Sequence, residues 1–233
     1  TNGKIVTNKK LTVIANTQDT QVTADNSIFQ AGKELVFDLF NIKGTKATVQ
    51  ASNIQIDASN VELKDSTVTA ISEDVNIIAQ NDIDLIDSKQ IAANNNINLK
   101  GKNINLDNVV MFNQKEEDNT NKNIVINADS VSAQNLDLTS SNDLEITSVE
   151  DVKLNEADLY ADKSLTINAK DVINVDGSIS SEEDLTINAS GNVDNTNGKI
   201  VTNKKLTLVA NTQDTQVTAD NSIFQAGKEL VFD

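Results

Sequence analysis

Cysteine, proline, histidine, arginine and tryptophan are all missing from this 233-residue chain, and tyrosine and methionine occur once each. Without Cys there are neither disulfides nor thiolate metal sites, and without His the imidazole ligands and nucleophilic triads go too. The missing disulfides leave the compartment open, because a long self-stacking core does without them. No apolar run approaches the roughly 18 residues that cross a bilayer as a helix, so direct membrane insertion is not expected. Gly occurs only eight times, and Asn-Gly stands only at 2–3 and 197–198. That is too few turn signals for the hairpins of an antiparallel sandwich. Positive charge is scarce as well: 19 Lys face 35 acidic residues, for a net charge of −16. Such a chain is repelled by duplex DNA and by anionic membranes, so no nucleic-acid partner is expected. There is no initiator Met or signal peptide, so the chain reads as a piece of a longer protein.

What is present is repetition. Residues 1–38 recur at 196–233 with 36 identities, and the two changes replace Val13 and Ile14 by Leu208 and Val209. The domain reading is therefore one long repeat unit over 1–195 and the start of a near-identical unit over 196–233. Within the unit an apolar–x–apolar triplet returns at Leu11–Val13, Leu35–Phe37, Ile54–Ile56, Val75–Ile77, Ile97–Leu99 and Ile124–Ile126. It continues at Leu144–Ile146, Leu165–Ile167, Leu185–Ile187, Leu206–Leu208 and Leu230–Phe232, a mean spacing of about 22 residues. Period-two alternation marks strands with one buried face, and its regularity argues against disorder. One or two shorter strands fit between anchors, as at Ile83/Leu85 and Ile104/Leu106.

The expected fold is all-β: a right-handed parallel β-helix, or solenoid, of about eleven coils, with about 22 residues and about three short strands per coil. Each coil buries its apolar residues inside and bonds to the coils above and below. The 33 Asn residues are expected at corners, supplying left-handed backbone in place of Gly, and stacked in amide ladders. Nine coils separate Leu11 from Leu206, so one unit is expected to rise about 43 Å at the ~4.8 Å strand spacing.

Three stretches carry a family resemblance: KSLTINAKDVINVDGSISSEEDLTINASGNVDNTNGKIVTNKKLTLVAN at 163–211, its echo at 1–16, and NDLEITSVEDVKL at 142–154. They resemble the haemagglutinin-type repeats of filamentous-haemagglutinin-like exoproteins. The resemblance implies a right-handed β-helix exported by two-partner secretion to the surface of a Gram-negative bacterium, or secreted from it. It implies an adhesin or, as the alternative, the stalk of a contact-dependent inhibition toxin-delivery protein. It brings no catalytic residue with it.

Because β-helices also host polysaccharide-cleaving enzymes, acidic pairs need a test. Asp82 and Asp84, with Asp87 beside them, and Glu182–Glu183–Asp184 are the candidates. Glycoside hydrolysis needs two carboxylates facing one cleft, whereas Ile83 and Leu85 point inward and put these carboxylates on a solvated face. A polysaccharide-acting enzyme is thus the weakest reading, and neither a cofactor nor a metal is expected. Asp118, Asn119 and Asn121 are the best oxygen cluster for calcium, but no Gly-turn loop accompanies them. Thr67 and Thr69 form a lone Thr-x-Thr pair, too little for an ice-binding grid.

The longest interval between anchors, 27 residues, surrounds FNQKEEDNTNK. Asn113, Gln114, Lys115, Glu116, Glu117, Asp118, Asn119, Thr120, Asn121 and Lys122 are expected to form a protruding loop, the first candidate for a binding feature. Phe112 just before it, and Phe29, Phe37, Phe40, Phe224 and Phe232, are expected in the core. The expected partners are a cell-surface receptor on host or bacterium and the neighbouring repeats of the same chain.

Overall fold

In a computed structural model the described residues form 32 short strands and no helix. The structure describes residues 2–114, 122–210, 212 and 215–233. The chain visits three faces in turn. Lys4–Thr7 opens sheet A, Leu11–Ala15 opens sheet B and Gln21–Thr23 opens sheet C, after which Ile28–Ala31 returns to sheet A. Repetition of this circuit builds sheets of eleven, eleven and ten strands, and every pairing is parallel. The molecule is the expected parallel β-solenoid, with about ten full turns and short strands lying one coil above another.

The triplet rhythm of the sequence is one pair of columns in this stack. Leu35, Ile54, Val75, Ile97, Ile124, Leu144, Leu165, Leu185 and Leu206 are successive register partners on the inner face of sheet B. All are at most 1% exposed. Period two turns their neighbours Val36, Gln55 and Asn76 outward. Each buried Leu or Ile contributes about 1.5–3 kcal/mol, and only because a coil above and a coil below cover it. The repeated segment shows this directly: Leu35 and Phe37 are fully buried, while their copies Leu230 and Phe232 in the last coil are 43% and 52% exposed.

The two copies of the 38-residue segment occupy equivalent places. Lys4–Thr7 and Lys199–Thr202 are the first and tenth strands of sheet A, so the 195-residue offset spans nine whole coils, about 43 Å of rise.

The corner from sheet C to sheet A explains how a Gly-poor chain turns so tightly. Eleven residues there have positive φ, one per coil: Asn2, Asn26, Lys46, Asp65, Asp87, Asn108, Asn135, Glu156, Asp176, Asn197 and Asn221. Nine are Asn or Asp, the side chains that best tolerate the left-handed region, and no Gly has positive φ. The N–H of each of the first ten bonds to a carbonyl of the next coil, as in Asn26 N to Thr45 O at 2.8 Å and Asn135 N to Asn155 O at 3.1 Å. Glycine serves close approach instead. A Cβ on Gly177 would lie 2.6 Å from Ala157 O and from Asn174 Oδ1, and one on Gly198 would lie 2.3 Å from Asn195 Oδ1. These two Gly make room for Asn174 and Asn195, which are wholly buried and joined Nδ2 to Oδ1 at 2.6 Å.

At the corner from sheet A to sheet B, amides and carboxylates form a directional ladder. Asp74 Oδ1 accepts from Asn96 N at 2.9 Å, Asn96 Oδ1 from Asn123 N at 2.9 Å, and Asp143 Oδ1 from Ser164 N at 3.1 Å. Asn76 and Asn98 stack on the outer face of sheet B, Asn98 Nδ2 donating to Asn76 Oδ1 at 2.7 Å. The expected asparagine corners and ladders are thus present, and the ladders satisfy backbone N–H groups where the strands end.

The phenylalanines divide. Phe29 and Phe37 are buried and meet edge to face with centroids 5.1 Å apart. Phe224 and Phe232 keep that stacking at 5.6 Å, but Phe232 is exposed because no further coil lies over it here. Phe40 and Phe112 correct the expectation of burial. Phe112 lies between the inward-facing Met111 and Asn113, so strand parity turns it to the outer face of sheet A. Phe40 follows the inward Leu39 at a one-residue corner and is half-buried.

Candidate functional site

The suspected binding loop springs from the end of a sheet A strand, Val110–Asn113. Lys115 to Asn121 lie outside the described residues, and with them the calcium candidates Asp118, Asn119 and Asn121. The base of the loop is well defined. Asn113 is 4% exposed and occupies an inward column between Ala93 and Ser140, where most coils have a small residue. Its Nδ2 donates to Lys122 O at 2.7 Å, and its Oδ1 accepts from Ser141 N at 2.7 Å. The side chain therefore holds the two ends of the insertion together and ties them to the next coil. Lys122 is also buried, at 3% exposed, and Gln114 is exposed. Of the described residues in the candidate loop, Asn113 and Lys122 anchor it and Gln114 faces solvent.

The acidic candidates stand where strand parity puts them. Ile83 and Leu85 are fully buried, and Asp82 and Asp84 lie on the outer face of sheet C. Neighbouring coils occupy two of these carboxylates. Asp82 Oδ1 accepts from Asn103 Nδ2 at 2.8 Å, and Asp87 Oδ1 from Asn108 Nδ2 at 2.9 Å, with Lys64 Nζ 3.8 Å from Asp87. Partial burial holds the Asp84 carboxyl above its ordinary value; a hydrogen bond from Asn105 opposes this, while Asp82 and Glu62 add to it.

Glu182, Glu183 and Asp184 are spread along the corner from sheet A to sheet B. Glu182 accepts from Tyr160 Oη at 3.0 Å and from Asn203 Nδ2 at 2.6 Å. Glu183 pairs with Lys204 at 3.2 Å, and Asp184 Oδ1 accepts from Lys205 N at 3.3 Å. Burial, with the hydrogen bonds and negative charge of Asp162 and Glu182, pushes the Tyr160 hydroxyl well above the ordinary tyrosine value. Each carboxylate is thus engaged with the adjacent coil, and the two groups do not converge on one cleft. Among the described residues no three acidic side chains come together to hold a metal.

Thr67 and Thr69 share the outer face of sheet A with Thr48 and Gln50 below and Gln90 and Ala92 above. Further along that face stand Phe112, Thr139 and Tyr160 as register partners. The parity of VMF at 110–112 could have revealed Phe112 as outward, had the strand boundary been known.

A groove of about 600 Å³ runs along the corner between sheets B and C in the first four coils. Asp38, Phe40, Asp57 and Ile78 line it. Asp38, Asp57 and Ile78 escaped the sequence reading, and Phe40 was expected in the core, although the three alternating inward residues Leu35, Phe37 and Leu39 imply that it must turn out.

The haemagglutinin repeat model matches residues 1–33, 40–87, 86–148, 154–197 and 193–223. No curated protein and no solved structure matches the chain. Five successive matches spread over most of the sequence, and a solenoid whose coils keep one register throughout, place this chain in the haemagglutinin repeat family.

Proposed function

We propose that this chain is a structural and adhesive segment of a bacterial surface rod, giving reach and mediating contact between a cell and another surface. The observation that carries the reading is the in-register 195-residue repeat, which spans nine whole coils. A unit of that kind lengthens a rod by about 43 Å per copy without disturbing any sheet. The negative charge of −16 keeps neighbouring rods apart. In this reading the chain is not an enzyme. It lies outside the cell, secreted or held at the surface of a Gram-negative bacterium, and its partner is a receptor on a host or bacterial cell.

The second reading, the stalk of a contact-dependent inhibition protein, rests on the same reach and assigns contact to other parts of the protein. Binding of the fluorescently labelled chain to host and bacterial cells separates the two. Saturable binding, displaced by excess unlabelled chain, supports an adhesive surface on the repeats. Absence of saturable binding by a chain with a β-rich circular dichroism spectrum leaves only the stalk.

A further inference from the structure

The corner groove between sheets B and C differs from the rest of the rod in its chemistry. Asp38 and Asp57 are register partners in adjacent coils, so their carboxylates stand one strand spacing apart on the same outward column. The column continues with Ile14 on one side and Ile78 on the other, 66% and 38% exposed. Phe40 and the buried Leu39 and Ala58 line the groove beside them.

Like charges stacked directly across a sheet are unfavourable, and several exposed carboxylates of the rod are neutralised by lysine. Glu34 has Lys10 at 2.8 Å, Glu62 has Lys43 at 2.7 Å and Glu183 has Lys204 at 3.2 Å. Among the described residues, Asp38 and Asp57 have no such cation. Each receives a neutral amide instead, Asn16 Nδ2 at 2.9 Å and Gln55 Nε2 at 2.8 Å. The same corner farther along forms a second groove, of about 390 Å³, but there Asn168, Asn188 and Lys170 replace the acids and no aromatic residue is present. Asp137 and Asp158 are also register partners with Tyr160 beside them, but on the open face of sheet A; here a stacked acid pair and an aromatic ring line one groove.

We infer that this groove is a docking site for an arginine side chain of a partner polypeptide. The guanidinium is a planar fork of donors that can bridge two stacked carboxylates, it stacks on an aromatic face, and its alkyl stem suits exposed Ile and Leu. Lysine offers a compact, strongly hydrated charge and fits the pair less well. A second copy of this segment does not supply it, because all 19 basic residues here are Lys. The inference rests on the adhesive reading and names the chemistry by which one face of the rod would recognise a protein.

The test is an NMR titration of the ¹⁵N-labelled chain with acetyl-Gly-Arg-Gly-amide, its lysine counterpart, and the neutral citrulline counterpart. Saturable shifts at Asp38, Phe40, Asp57 and Ile78 are expected for the arginine peptide, with a Kd of about 1 mM or weaker for so small a contact. The lysine peptide should bind a few-fold more weakly and the citrulline peptide not at all. The double variant D38N/D57N should abolish the shifts, and F40L should weaken them. Both aspartates face outward, so an unchanged spectrum away from the groove verifies that the double variant is folded. Shifts spread evenly over the acidic surface, shifts unchanged in D38N/D57N, or equal binding of the citrulline peptide would each overturn the inference. Cell binding that survives in D38N/D57N, with no peptide shifts, removes the groove alone. Peptide binding without any cell binding removes the adhesive reading and leaves the groove.

Discussion

Replacing Lys46 and Glu156 by Asn should stabilise the rod. These are the two residues in the left-handed corner column that are neither Asn nor Asp, with φ of 56° and 50°. Both side chains are exposed, neither has an ion pair among the described residues, and each N–H is already bonded to the next coil, to Lys64 O and Val175 O at 2.9 Å. The substitution therefore changes the backbone preference and little else. A left-handed residue costs about 1–2 kcal/mol for an ordinary side chain, and Asn relieves part of that, ~0.5–1 kcal/mol per site. The sites are five coils apart along sheet A, far enough for the gains to add to ~1–2 kcal/mol. For a chain of this size that raises the melting temperature by about 2–8 °C. Urea titration followed by circular dichroism reads it as a higher midpoint at unchanged slope. Lys100→Asn is the control, since Lys100 ends an ordinary strand on the exposed face of sheet B and Asn is a poor strand former. If Lys46→Asn and Lys100→Asn move the midpoint alike, or the double variant is no more stable than the parent, the left-handed column does not set the residue choice at this corner.

Three further outcomes follow from the geometry. Asn113→Ala removes the partners of a buried Lys122 carbonyl and of the Ser141 amide. It should cost about 1–3 kcal/mol locally, read as faster hydrogen exchange at Ser141; unchanged exchange would show that the side chain does not close the loop base. Deleting residues 165–184 joins Ser164 to Leu185 and brings Leu185 onto Leu144 in place of its equivalent Leu165. The β-rich spectrum should survive with one coil fewer, whereas deleting 165–174 should abolish it, and equal tolerance of both would contradict stacking in phase. Asp84→Asn tests the raised carboxyl. A raised value means the fold favours the protonated form, so that favourable contribution is present at low pH and is lost as pH rises through the folded value. The variant should thus be more stable than the parent at pH 7, with the advantage fading below about pH 4; a pH-independent difference would discount burial as its cause.

The fold was legible because one physical rule governs nearly every residue. Inward positions must match the coils above and below, so Leu35 to Leu206 and Phe37 to Leu208 could be read as columns before any coordinates. The corners were legible in kind, since Asn tolerates left-handed backbone, but Lys46 and Glu156 were not, because there the stack overrides local preference. Phe112 and Phe40 were misplaced for a related reason. An aromatic residue signals burial on average, whereas parity at a strand end or a one-residue corner decides the individual case. The candidate loop was visible only as an over-long interval. The pairing of Asp38 with Asp57 was hidden because a 19-residue separation becomes contact only when the coil length is known to the residue.

The dependence of each coil on its neighbours also makes the rod a mechanical fuse. A coil of about 21 residues occupies about 4.8 Å of axis when stacked but spans about 70 Å when pulled straight. Tension applied at one end meets only the terminal coil, because interior coils remain covered on both sides. The chain can then peel in single steps, each lengthening the tether roughly fifteen-fold over the coil it releases. Nothing in the peeled segment has to be rebuilt across distant parts of the molecule. When the load falls, the freed chain has a complete template, the exposed edge of the last intact coil, on which to wind again.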